Sequence, residues 1–221
     1  RDLRARERRY LAPAMTANSA LTTQFLSLLP FSPTGAQQRV YEEISTDLAQ
    51  SNPMLRLVQG DVGSGKTLVA ALAALQAIDA GFQVALMAPT ELLAEQHLRN
   101  FKNWFSALDI QIACLSGRIK GKARTSVLAA IRDNEAAMVI GTHALFQESV
   151  AFSNLGLVIV DEQHRFGVHQ RLTLTEKGGA AGHPHQLVLT ATPIPRTLSM
   201  VAYADLDCSI IDELPPGRKP V

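Results

Sequence analysis

Cysteine is scarce in this chain. Only Cys114 and Cys208 occur in 221 residues, and they lie far apart. There is no Cys-x-x-Cys and no zinc-ligand spacing, which removes zinc-module and redox-motif readings. A disulfide between the two stays open at this stage. Two free thiols, as in a cytosolic protein, are the simpler expectation. Long apolar runs are also missing, since none reaches the ~20 residues of a membrane-spanning helix. No charged, then apolar, then small-residue signal opens the chain. A cytoplasmic protein with no membrane partner is therefore expected. An excess of one charge is absent too: 21 Lys and Arg face 20 Asp and Glu, a net +1. Global charge therefore gives no argument for a polyanion partner, and any nucleic-acid surface must be local. Internal repeats and low-complexity tracts are lacking as well. What is present is a globular composition, 47% hydrophobic and 19% charged, ample for a core. The length suits one large domain or two small ones.

The most informative stretch is Gly60-Asp61-Val62-Gly63-Ser64-Gly65-Lys66-Thr67, a full match to G-x-x-x-x-G-K-[ST]. Before it, Leu55 to Gln59 read as a buried strand. After it, Leu68 to Ala80 read as a helix stopped by Gly81. Strand, glycine loop and helix are the context a phosphate loop needs. Glycines let backbone N–H groups close around phosphate oxygens, and the helix N-terminus adds positive charge there. Lys66 is expected to reach the β- and γ-phosphates of ATP, and Thr67 to offer its hydroxyl to Mg²⁺. A glycine-rich turn that happens to carry Lys-Thr is the bland alternative, and both flanks argue against it.

Further strands are predicted at 84–88, 110–115, 137–140, 157–160 and 187–189, with another at 208–211. The first five are continuous apolar runs rather than alternations. That pattern marks strands covered on both faces, so the fold class is α/β, a parallel sheet with helices on each side. The run 157–160 leads into Asp161-Glu162-Gln163-His164. A carboxylate at a strand end can hold hydrated Mg²⁺, a role for Asp161 shared with Thr67. Glu162 can orient and deprotonate the attacking water. An imidazole at His164 can report nucleotide state through one hydrogen bond, although a solvent-facing histidine there is ordinary. Pro89 and Thr90, then Gly141, Thr142 and His143, then Thr190 and Thr192 follow other strands. Parallel strands bring these ends to one edge, where ligands bind. Small polar groups there suit a sugar–phosphate backbone read without sequence preference.

Leu93, His97, Phe101, Trp104 and Phe105 share one face of a predicted helix, and His97 on that stripe reads as packed core, not a ligand. Ahead of the phosphate loop, Phe31 opens the segment Phe31-Ser32-Pro33-Thr34-Gly35-Ala36-Gln37. Thr34 can cap the following helix, and Gln37 can pair with both a donor and an acceptor of an adenine edge. Arg1, Arg4, Arg6, Arg8 and Arg9 read as a solvated linker helix, with phosphate contact the rival. Arg118, Lys120, Lys122 and Arg124 form a second basic cluster, a loop and helix start or a nucleic-acid contact. Leu214-Pro215-Pro216-Gly217 reads as a linker. The expected organisation is a helical lead-in over 1–30, a nucleotide-binding domain over 31–213 and a linker over 214–221. A fragment of a longer protein is expected.

These motifs, in this order, resemble those of superfamily 2 helicases. Gln37 stands where a Q motif would, Gly60 to Thr67 as motif I, and Ala88-Pro89-Thr90-Glu91-Leu92-Leu93 as motif Ia. Gly141-Thr142-His143 is similar to motif Ib, Asp161-Glu162-Gln163-His164 to motif II, and Thr190-Ala191-Thr192 to motif III. Asp161 to Val168 and Thr190-Ala191-Thr192-Pro193-Ile194-Pro195-Arg196 further resemble the RecG family of bacterial ATP-dependent DNA helicases. The transcription-repair coupling translocases share part of these segments and rank second. The resemblance implies a RecA-like first motor domain using ATP and Mg²⁺. It implies a monomer that remodels branched double-stranded DNA, stalled forks and Holliday junctions, in repair and recombination. It also implies a wedge domain before this segment and a second RecA-like domain after it, the latter carrying an arginine finger. Such a piece alone is expected to hydrolyse ATP very slowly. A small-molecule phosphotransferase or a nucleotide-gated adaptor are the rival classes.

Overall fold

The computed structural model describes residues 11–16, 19–161, 182–192 and 206–215. Seven strands form one sheet: β1 (Leu55–Gly60), β2 (Gln83–Met87), β3 (Ile112–Leu115), β4 (Met138–Gly141), β5 (Leu155–Asp161), β6 (His185–Thr190) and β7 (Asp207–Ile211). Their order across the sheet is β3-β4-β2-β5-β6-β1-β7. Every neighbouring pair is parallel. The helices are α1 (Ala20–Leu28), α2 (Gly35–Leu48), α3 (Lys66–Asp79), α4 (Glu91–Trp104) and α5 (Gly121–Arg132). The α/β class read from the apolar runs is the architecture observed, with strand ends shifted by one or two residues from the predicted ones.

Strand alternation divides the core in two. Leu157, Ile159, Leu187 and Leu189 face the layer holding α1 to α4. Val158, Val160 and Val188 face the opposite layer, which holds Ile131 of α5 and the segment around Leu145 and Phe152. Both faces are covered, which is why these runs are apolar without a break. The Ala- and Leu-rich helix α3 is buried almost all round because it lies between the sheet and α1 and α2. Gly81, at φ 87°, turns the chain out of it.

The core reaches back across residue 30. Phe25 of α1 is buried and packs edge-on to Phe105 at 5.7 Å and tilted to Trp104 at 6.0 Å. Met15 is fully buried, and its N–H donates to the Leu48 carbonyl at 2.8 Å. The segment before α2 is therefore packed into the nucleotide-binding domain rather than strung alongside it. Cys114 on β3 and Cys208 on β7 stand on opposite outer strands, and neither is in a disulfide. Six inter-strand steps, roughly 29 Å, separate them, far beyond the reach of a disulfide. The disulfide left open above is thus excluded. Among the described residues no helix is long and apolar enough to cross a membrane.

Several polar side chains inside this core are fully committed. Gln83, at the head of β2, accepts from the N–H groups of Ser153 and Asn154 and donates to the carbonyls of Ile131 and Ala136. On β1, Arg56 binds Asp47 at 2.8 Å and Glu43 at 3.2 Å, which lets an arginine sit in a buried strand. His185, at the head of β6, is fully buried. Its Nδ1 accepts the Met54 N–H at 3.0 Å, so Nε2 carries the hydrogen and donates to Pro13 at 2.8 Å. Burial pushes the His185 pKa down from 6.5, only partly opposed by the Pro13 carbonyl and Asp47.

The unfolded chain therefore takes up a proton at His185 more readily than the folded one. Stability from this group is complete above the unfolded pKa and is lost as pH falls through it toward the lowered folded value. The unfolding free energy from urea titrations is expected to fall between about pH 7 and about pH 5, with a slope of up to ~1.4 kcal/mol per pH unit from this one proton. In His185→Gln that part of the slope should vanish, and an unaltered slope would contradict this assignment.

Candidate nucleotide site

The phosphate loop forms because β1 must stop where α3 begins. Gly60 ends the strand so close to its neighbours that a Cβ there would lie 2.5 Å from Ser64 Oγ. Gly63 and Gly65 take φ of 85° and 88°, a conformation side chains with a Cβ resist. Gly65 is the N-cap of α3 and brings no side-chain cap, so the first amides of the helix point into the loop. Asp61 and Val62 are exposed at the tip, Val62 at 69%. The Lys66 ammonium donates to the carbonyls of Gly60 at 2.6 Å and Asp61 at 2.9 Å, arching over the loop. Thr67 is half-buried one residue on. Ser64 Oγ is buried and has no hydrogen-bond partner among the described residues. The cradle therefore combines open amides, a cation and a stranded hydroxyl, which fits a polyphosphate.

Asp161 ends β5, and β5 and β1 are the two neighbours of β6. Across that strand, Asp161 stands opposite Leu189 and Leu189 opposite Val58. The carboxylate strand and the loop strand thus finish on one edge, two inter-strand steps or about 10 Å apart. A metal–triphosphate unit can span that gap. Thr67 and Asp161 offer a hydroxyl and a carboxylate, hard oxygen donors of the kind Mg²⁺ takes alongside phosphate and water. Glu162 and His164, expected to act on water and to sense the nucleotide, lie outside the described residues.

The Asp161 side chain is turned by strand parity toward the face of Leu157 and Ile159, the face α4 covers. There its Oδ2 meets Nε2 of His97 at 2.7 Å. The expectation of a packed core histidine holds for its burial, 7% exposed, but not for its chemistry, since it contacts the acidic strand end. The sequence carries no local signal for this contact, because the partners are 64 residues apart.

Gln37 is buried and doubly committed. Its Oε1 accepts the Thr34 N–H at 2.9 Å while Thr34 Oγ1 accepts the Gln37 N–H at 3.2 Å, a capping box at the start of α2. Its Nε2 donates to the Ser64 carbonyl at 2.8 Å. An adenine edge would have to displace these bonds. The Thr34-x-x-Gln37 spacing was a readable signal for the cap, overshadowed above by the adenine reading. Phe31 is half-exposed and lines a cleft of about 590 Å³ with Leu29, Pro33, Tyr41 and Leu72, beside Gln38 rather than Gln37. Glu213, just past β7, accepts the Ala36 N–H, and Asp212 pairs with Arg39 at 2.9 Å. The chain beyond the sheet is thereby tied to the start of α2.

The remaining candidates gather on the same edge in differing states. Thr90 is exposed and caps α4, accepting the Leu93 N–H at 3.3 Å. Pro89 is half-buried and His143 exposed. Gly141 is packed so tightly that a Cβ would lie 2.1 Å from the Leu115 carbonyl oxygen. Thr142 and Thr190 are buried, and the Thr190 hydroxyl accepts the Thr192 N–H at 3.2 Å. Exposure at this edge thus belongs to Thr90, His143 and Thr192 rather than to the buried three. In the basic cluster, Arg118 pairs with Glu91 and Glu95 of α4 and Arg124 bonds to Gln147. Lys120 and Lys122 are on the surface.

Gly65→Ala tests the cradle. The added Cβ would sit 2.2 Å from Gln37 Nε2 at a backbone angle alanine resists. We expect affinity for an ATP analogue to fall by about tenfold or more in a calorimetric titration, one step of ~1.4 kcal/mol. Unchanged affinity would contradict the placement of phosphate in this loop.

Residues 34–201 match the family model described as DEAD/DEAH box helicase. The chain is 66% identical over 220 residues to ATP-dependent DNA helicase RecG of Escherichia coli O157:H7, covering 99% of this chain and 32% of that protein. It is 66% identical over 202 residues to the Haemophilus influenzae protein of the same name, covering 91% and 29%. A solved structure of RecG bound to a three-way DNA junction superposes with a TM-score of 0.87 at 44% identity, over all of this chain and 29% of that one. MrfA, a helicase solved on DNA, shares the fold at a TM-score of 0.69 and 19% identity, covering 92% and 30%. The chain thus spans about a third of the length of the curated relatives it matches. With a phosphate loop and an acidic strand end on one sheet edge and a family model over three quarters of its length, the chain belongs to the DEAD/DEAH box helicases.

Proposed function

We propose that this chain is the first RecA-like motor lobe, over 31–213 with α1 and the segment around Met15 packed into its core, of a RecG-type helicase that spends ATP to move branched DNA. The observation that carries the reading is the meeting of the Gly60–Thr67 loop and Asp161 on either side of β6, at one edge. Identity of 64–66% to RecG proteins over 99% of the chain supports the substrate, as does the relative bound to a three-way junction. On this reading the protein works as a monomer in the cytoplasm, in repair and recombination. Residues 1–30 and 214–221 lead to a wedge domain and a second RecA-like domain. The transcription-repair translocase and phosphotransferase readings have no observation in their favour.

The roles follow from the geometry. Loop amides and Lys66 bind and orient the phosphates, and Lys66 trades its two carbonyl bonds for phosphate oxygens. Thr67 and Asp161 would hold Mg²⁺, which would supply charge neutralisation to the phosphates. Glu162 orients the attacking water and accepts its proton, and His164 follows nucleotide state. Gln37 and Phe31 flank the base once Gln37 gives up its Ser64 bond. Thr90, His143 and Thr192 hold the DNA backbone at the neighbouring strand ends, with Pro89, Gly141, Thr142 and Thr190 shaping them. The arginine finger comes from the second lobe, an effect of roughly 10³–10⁵ in rate, so this chain alone hydrolyses ATP very slowly.

The test uses the longer protein that contains this chain. Its ATPase rate should rise on adding a three-way junction, and Asp161→Asn should lower the stimulated rate by about a hundredfold or more. A rate indifferent to DNA, or an Asp161→Asn protein that hydrolyses normally, would contradict the reading.

A further inference from the structure

His97 presents a puzzle that packing alone does not solve. It occupies the apolar stripe of α4, one turn before Phe101, whose ring lies 6.3 Å away. Phe101 in turn packs edge-on to Phe105 and Trp104 at 5.4 and 5.9 Å. A leucine or phenylalanine would fill that place without bringing a buried ring nitrogen of its own. Histidine leaves Nδ1 buried with no partner among the described residues. A buried unpaired nitrogen is costly and calls for an explanation elsewhere on the ring. That explanation is the 2.7 Å bond from Nε2 to Asp161 Oδ2, with both side chains mostly buried, at 9% and 15% exposure.

We propose that His97 is a positioning residue that holds the Asp161 carboxylate for the metal site. This rests on the nucleotide-site reading above. An ionised carboxylate only accepts, so Nε2 carries the hydrogen and donates to Oδ2. One oxygen is then fixed by the ring, and the other would be free to accept a hydrogen bond from water on a bound metal. The ring is braced on its inner side by Phe101, which belongs to the aromatic cluster with Trp104, Phe105 and Phe25. Strand parity brings Asp161 to the same face, so neither partner needs strain to meet. Donors that fix a metal-binding group in this way typically contribute 10–100-fold to metal affinity.

The measurement is manganese binding, followed by electron paramagnetic resonance, to the 221-residue chain holding a non-hydrolysable ATP analogue. His97→Phe keeps ring packing but has no N–H. It should weaken manganese binding about 10–100-fold while metal-free nucleotide affinity stays unchanged. His97→Gln, whose amide N–H can reach the same oxygen, should recover most of the loss. A purely structural role gives the reverse order, with the phenylalanine tolerated and the glutamine harmful. Manganese affinity unchanged in His97→Phe, or equal losses in both variants, overturns the proposal. The imidazole ¹⁵N spectrum of the unsubstituted chain tests it without any substitution. A hydrogen on Nε2 is expected, and a bare Nε2 overturns it. Failure of the unsubstituted chain to take up manganese with nucleotide is a separate result that removes the nucleotide-site reading and this inference together.

Discussion

Everything in this molecule depends on strands that run the same way and are buried on both faces. Parallel hydrogen bonding sends every carboxyl end to one edge. Burial on both faces leaves that edge, with its loops and helix starts, as the place where polar chemistry can collect. The phosphate loop, Asp161, Thr90, His143 and Thr192 all stand there for that reason. Strand order places the Thr192 end of β6 between the two halves of the nucleotide site and sets the Thr90 and His143 ends to one side. β1 and β5 carry the loop and the carboxylate, β6 between them carries Thr192, and β2 and β4 carry the Thr90 and His143 ends.

Rigidity of the sheet that carries this edge comes from buried polar groups with nearly all their bonds made, two of them at the opposite ends of the strands. Gln83 seats β2 against the opposite layer, His185 ties the Pro13 segment to β6, and Gln37 joins the cap of α2 to the phosphate loop. Each costs desolvation and offsets it with hydrogen bonds that only one arrangement satisfies. The helix α4 has a special place among these parts. It starts at Thr90 on the exposed edge and carries His97 to Asp161, so one stiff element spans the DNA candidates and the carboxylate.

The parts that were legible in the sequence are those whose signal is local. The loop Gly60 to Thr67, the apolar runs of β2, β4, β5 and β6, and an acid directly after Val160 each announce themselves within ten residues. The capping box at Thr34 and Gln37 was equally local, but a single side chain carried two readings and the spacing alone could not choose. His97 and Asp161, His185 and Pro13, and Gln83 with Ile131 were not legible. Their partners lie 48 to 172 residues away, and a histidine or glutamine in an apolar run looks the same whether or not a partner awaits it. The buried state of Thr142 and Thr190 was hidden likewise, because a strand-end threonine can turn either way.

A crystal structure of this chain with an ATP analogue and magnesium tests the central claim most directly. The account predicts one metal ion bound by Thr67 Oγ1 and, through a water, by Asp161, with the phosphates wrapped by the amides before Lys66. A nucleotide seated away from this loop, or a metal that Thr67 and Asp161 do not share, would contradict it.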